Sequence, residues 1–160
     1  MLFHAHIQSH IAYGLCVYGG TSKANLIKIL MLQKKAIRTM LKLQKIDSVK
    51  QFFIEHGILT VFGLYIYQCV MFVRCSQTQF IAHEQNHSYN TRNKSCLALP
   101  KPNLECYKFR VSYAGCKFLM ALPNSIRKLS EPNKFKLELK NYLINNPFYS
   151  LEEFLIDAKH

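Results

Sequence analysis

From Lys23 to Ile46 the chain runs for 24 residues without a glycine, a proline or an acidic residue. Nothing in that stretch breaks a helix, and its side chains sort by angle. At roughly 100° per residue, Leu26, Ile29, Leu30, Ile37, Met40 and Leu41 gather on one side. Lys28, Lys34, Lys35, Arg38, Lys42 and Lys45 gather on the adjacent sector. The spacing predicts an amphipathic helix that follows the turn at Tyr18-Gly19-Gly20 and runs to about Lys45, with Thr21 or Ser22 accepting a hydrogen bond from a free amide at its start. An ordinary surface helix mixes charge signs to gain i, i+4 pairs. Six like charges on one sector repel one another unless a polyanion relieves them.

The rest of the pattern is also helical. Ser48-Val-Lys-Gln51 fits a capping box opening a short helix through Phe52 and Phe53, with Gly57 as its left-handed terminator. Thr60 is placed to cap a third helix reaching about Ser76, apolar on nearly every side and therefore central. Gln77 to Ser95 is rich in Gln, Asn, His and Ser and reads as a polar loop or hinge. Leu97 to Leu99, bounded by Pro100 and Pro102, has the form of a short strand. Tyr113 to Leu122 is helical and ends at Pro123. Ser130-Glu-Pro-Asn places a cap and an early proline ahead of a one-sided helix through Phe135, Leu139, Tyr142 and Leu143, which Asn145-Asn146-Pro147 stops. Ser150-Leu-Glu-Glu153 is a second capping box, opening a last helix to Ala158. The expected fold is thus mainly α: a small helical bundle with a basic amphipathic helix, a polar central loop and a short β element. It divides into a helical unit over 1–76, the loop over 77–95 and a mostly helical unit over 96–160.

Composition narrows the function. The chain of 160 residues holds 21 Lys and Arg against 9 Asp and Glu, a formal charge of +12. Such a surplus favours polyanionic partners. The longest apolar run, Ile58 to Val73, is interrupted by Thr60, Gly63 and Gln68, and is shorter than the roughly twenty residues a membrane span needs. No membrane partner is therefore expected. Six cysteines without a CxxC pair or a secretory signal read as free thiols in a reducing, intracellular compartment, nuclear or cytoplasmic.

Catalytic centres find little support. Metal-dependent polymerases and nucleases need converging carboxylates, and the only close acids are Glu152, Glu153 and Asp157. The two glutamates lie in the first turn of a helix, where negative charge favours the dipole. His4-x-His6, His83-x₃-His87 and the cysteines at 96, 106 and 116 lack the ligand spacing of structural zinc. No phosphate-binding glycine loop is present, and no local signature marks a Cys–His hydrolase. Neither a metal nor another cofactor is expected in this chain.

Several segments resemble one family. Ser9-His-Ile-Ala-Tyr-Gly-Leu-Cys-Val-Tyr-Gly19 is similar to the "SHLxYGxxxWG" segment downstream of the polymerase domain in non-LTR (LINE-type, Jockey-like) retrotransposon reverse transcriptases. Leu32-Gln33-Lys34-Lys35-Ala36-Ile37-Arg38 resembles the "LQKrAiR" helix that follows. Glu55-His-Gly-Ile-Leu-Thr-Val61, Leu64-Tyr-Ile-Tyr67 and Phe72-Val73 resemble "LxILTVxxLYIYExLxFV". His87-Ser-Tyr-Asn-Thr-Arg-Asn-Lys94 resembles "HxYxTRxk", and Tyr113-Ala-Gly115, Leu122-Pro123 and Phe148-Tyr-Ser-Leu-Glu-Glu-Phe154 fit the tail. Tyr18 stands where the family has Trp, and Phe62 where it often has Pro.

The resemblance implies the region after the palm, in or beyond the thumb. The catalytic aspartates, and the divalent metal (magnesium) they would hold, belong to an upstream polymerase domain. It implies no catalytic centre within this chain, and phosphate contact with an RNA and DNA template–primer. Lys28, Lys34, Lys35, Arg38, Lys42 and Lys45 are the expected contacts, joined by Arg92 and Lys94 if the His87–Lys94 motif holds phosphate with Tyr89 stacking on a base. The competing reading makes that motif a hydrogen-bonded turn. A rival for the whole chain is a structural or protein-interaction helical module, or a relic without activity.

Overall fold

The computed structural model describes residues 3–44, 47–76 and 104–157, without the side chains of Glu105 and Cys106. The described residues form nine α-helices and no strand. A π-helical turn, His4–Gln8, runs into α1 (Ser9–Ala12), followed by α2 (Leu15–Tyr18), α3 (Lys23–Leu41), α4 (Lys50–Glu55) and α5 (Val61–Cys75). A 3₁₀ turn, Glu105–Phe109, leads into α6 (Val111–Ala121), α7 (Asn124–Arg127), α8 (Pro132–Asn145) and α9 (Leu151–Asp157). The polar stretch Gln77–Ser95 and the expected strand at Leu97–Leu99 lie outside the described residues.

α5 is the hub, as its apolar surface requires. It packs against α1, α2, α3, α6 and α8. Val61, Ile66, Cys69, Val70 and Val73 are wholly buried, and one core joins them to Leu15, Leu26 and Leu30 on one side and to Phe118, Phe135, Leu139 and Phe154 on the other. The described parts of both helical units therefore share a single core. Gly115 sets how closely α6 approaches α5: a Cβ there would lie 2.5 Å from the Cys69 carbonyl oxygen and 2.5 Å from Val73 Cγ2. A smaller cluster of Phe3, Ile37, Val49, Phe53 and Ile58 ties the amino-terminal turn to α4 and the far end of α3.

Helix boundaries separate the local signals that the chain uses from those it does not. Thr60 caps α5, its hydroxyl accepting from the Gly63 amide at 3.0 Å and donating to the Phe148 carbonyl at 2.8 Å. Gly57 adopts φ +61°, which a residue with a Cβ reaches only under strain, and ends α4 with the Ile58 amide bonded to the Phe53 carbonyl at 2.8 Å. At the second capping box Ser150 Oγ accepts from the Glu153 amide at 3.0 Å, while Glu153 Oε2 reaches one residue past the cap to accept from the Tyr149 amide at 2.6 Å.

Three expected caps do not form; α8 begins behind Glu131, with no side-chain cap from Ser130. α4 begins at Lys50 behind Val49, with no side-chain cap from Ser48. Val49 is buried in the smaller core, so apolar burial sets that boundary. At α3 neither hydroxyl caps; Thr21 Oγ1 instead donates back to the Tyr18 carbonyl at 2.6 Å.

Aromatic rings fix the last helix. Phe154 of α9 meets Phe118 of α6 at 5.9 Å and Phe148 at 5.3 Å, both edge-on. Such pairs contribute about 0.5–1.5 kcal/mol each beyond area burial. No helix among the described residues is long and apolar enough to cross a membrane.

Candidate nucleic-acid interface

The seam by which α3 attaches to the core is narrower than its apolar sequence suggests. The buried positions are Leu26, Leu30, Gln33 and Ile37, at spacings of four, three and four. Met40, expected on the inner side, is 49% exposed, and Ile29 and Leu41 are half-buried. The seam's one polar member is Gln33, 1% exposed. Its side-chain amide donates to the Leu59 carbonyl at 2.8 Å and accepts from the Val61 amide at 3.0 Å. The Val61 amide is among the first four of α5, which no intrahelical carbonyl can serve. Gln33 therefore acts as a strand-like partner for the loop entering α5 and fixes α3 in rotation and register.

That rotation decides which cations face outward. The side chains of Lys28, Lys35 and Lys42 are exposed, recur every seven residues along α3 and its C-cap, and form no hydrogen bond or ion pair among the described residues. At 1.5 Å rise per residue, consecutive members lie about 10 Å apart along the axis. Lys42 ends the helix in a left-handed conformation at φ +54°, where its charge also favours the helix dipole.

The remaining expected contacts divide differently. Lys34 is half-buried, with its ammonium 3.5 Å from the centre of the Tyr149 ring. Desolvation lowers its pKa and the Arg38 charge adds to this, while Glu153 opposes both. Lys50 approaches the same group, 3.6 Å from Glu153. The Arg38 guanidinium closes the loop after α3, donating from Nε and Nη2 to the Asp47 carbonyl at 3.3 and 3.1 Å. Lys34 and Arg38 thus have structural contacts of their own, which the sequence reading did not assign. Lys45, Arg92 and Lys94 lie outside the described residues.

The outer face of α3 is not purely basic. Met31 and Leu32 are 63% and 65% exposed between the lysines, and Ile27 is 43% exposed. Among the described residues no three His, Cys, Asp or Glu side chains converge as a metal site.

His87–Lys94 lies outside the described residues, and the other segments that resemble the family meet around α5. Gln33 and Lys34 reach the Leu59–Val61 and Phe148–Phe154 segments, Thr60 bonds Phe148, and Gly115 packs on Cys69. Gln33 was legible as a site in one respect, since its spacing from Leu26, Leu30 and Ile37 places it mid-seam. Its partners were not, because they arise from a segment 26 to 28 residues away. Comparison with protein-family models, curated proteins and solved structures gave no match.

Proposed function

We propose that this chain is the post-palm, carboxy-terminal part of a non-LTR retrotransposon RNA-directed DNA polymerase, acting inside the cell. Its role is to hold the RNA and DNA backbone of a template–primer. The observation that carries the binding role is the line of Lys28, Lys35 and Lys42, presented on a helix without acids that Gln33 locks to the core. Phosphates relieve the mutual repulsion of these cations, and their contacts position a duplex without reading its bases. Lys34 and Arg38 add charge beside the line while serving the fold. The polymerase chemistry, with its carboxylates and magnesium, is assigned to an upstream domain.

The test is affinity for an RNA–DNA hybrid at two salt concentrations, for the parent chain and for K28Q/K35Q/K42Q. Each lost phosphate contact lowers the salt slope by about 0.9 for duplex DNA, so the triple variant loses up to about 2.7. Parent-like affinity and slope in that variant, with its fold intact, overturn the proposal.

A second reading rests on the exposed Met31 and Leu32, which suit a protein partner laid along α3. Under it, the chain is an interaction module, and M31S/L32S abolishes capture of the upstream polymerase domain while leaving hybrid affinity unchanged.

A further inference from the structure

The Gly19–Gly20 turn, the start of α3, the 3₁₀ turn, α6 and α9 enclose a cleft of about 600 Å³. That size suits a single small ligand or one nucleotide unit. Leu26 and Phe118, both buried, belong to its apolar floor. Its rim is of a different kind. Lys23, Lys108 and Lys117 line it together with the rings of Phe109 and Tyr113. Among the described side chains one acid, Glu152, lines the cleft and is ion-paired to Lys23, while Lys117 stands exposed at the rim.

Phe109 is 55% exposed at this rim although an apolar floor lies beside it. An aromatic ring left open among cations is the arrangement by which unpaired bases are held: the ring takes the base face, and the cations take the phosphate. The flanking sequence repeats the pattern, since Tyr107, Lys108, Phe109, Arg110, Tyr113 and Lys117 alternate the two side-chain types. The cleft also lies at the amino-terminal end of the helix that carries the lysine line, with Lys23 about 7.5 Å along the axis from Lys28.

We infer that this cleft binds one unpaired nucleotide of a single-stranded nucleic acid, its base on Phe109 beside Tyr113 and its phosphate against Lys117. The inference deepens the nucleic-acid reading of α3 and rests on it. It assigns duplex and single strand to two different surfaces.

The experiment uses the whole chain and two probes: a twelve-nucleotide oligo(dT) carrying one central 2-aminopurine, and a blunt RNA–DNA hybrid. F109A and K117Q change exposed side chains, and their melting curves are recorded alongside. The expected result is a fall of about fivefold or more in oligonucleotide affinity for each variant, from the loss of a stacking or phosphate contact. Quenching of 2-aminopurine is lost in F109A and retained at saturation in K117Q, while hybrid affinity stays at the parent value for both. The inference is overturned if the parent chain binds the hybrid but not the oligonucleotide. It is overturned equally if F109A and K117Q bind the oligonucleotide like the parent, or weaken both probes alike. If the parent chain binds neither probe, the nucleic-acid reading of α3 falls with it.

Discussion

Replacing Gln33 should separate hydrogen bonding from packing at the point where α3 meets the entry to α5. In Q33M the side chain keeps its length but offers no donor and, in its thioether sulfur, only a weak acceptor. The Leu59 carbonyl and the Val61 amide then lose their bonds at a site that is 1% exposed. A buried polar group left without its partner costs about 1–3 kcal/mol, so the two together predict a loss of about 2–6 kcal/mol. That is a large part of the roughly 5–15 kcal/mol that stabilises a typical domain. Q33A should lose more, because a void is added.

Q33E gives a signed pH test at the same position. The introduced carboxylate accepts from the Val61 amide but repels the Leu59 carbonyl, and burial disfavours its charge. Its folded-state pKa is therefore raised above its unfolded value, and stability falls as pH rises through the folded value. The deficit should shrink as pH is lowered toward about 4, where the protonated form donates to Leu59. Urea unfolding followed by circular dichroism gives these differences, with L32Q at the neighbouring exposed position as a control expected within about 0.5 kcal/mol of the parent. A Q33M variant within about 0.5 kcal/mol of the parent at unchanged m-value would refute the bridging role.

Two further outcomes follow from α5. G115A should lower stability by about 1–3 kcal/mol, because the Cys69 carbonyl it would strike belongs to a helix backbone that cannot turn aside. A melting temperature unchanged from the parent would contradict this. The Cys16 thiol is half-buried and bonded to Gln68 Oε1 at 3.5 Å. A hydrogen bond from Cys69 lowers its pKa to about 7, against an opposing effect of burial. Its alkylation rate, mapped by peptide with exposed Cys75 as reference, should therefore reach half-maximum near pH 7 and shift upward in C69A. The same midpoint in both proteins would remove Cys69 as the cause.

Local chemistry made much of the helical content readable in advance. Thr60, Gly57, Ser150 with Glu153, and Pro132 act through neighbours within four residues, so their effects are written in the adjacent sequence. Ser48 and Thr21 show where this stops. Burial of Val49 against Phe53 and Ile58 moved one helix start, and the Tyr18 carbonyl claimed the Thr21 hydroxyl. The candidate interface divided along the same line. That α3 is basic and without acids could be read directly. Which of its cations remain free could not, because Tyr149, Glu153 and the Asp47 carbonyl reach Lys34 and Arg38 from other segments.

The sequence by itself determined a mainly α chain, an all-basic amphipathic helix and a central apolar one, because periodicity and charge sign are properties of adjacent residues. Only the tertiary structure decided that Gln33 bonds the Leu59 carbonyl and the Val61 amide, that Lys28, Lys35 and Lys42 form the open line, and that Phe109 and Lys117 share a cleft with Lys23. Those facts depend on groups brought together from across the chain. The rotation of α3 that presents the lysine line is held by the two hydrogen bonds of Gln33, one to the Leu59 carbonyl and one from the first amide of α5.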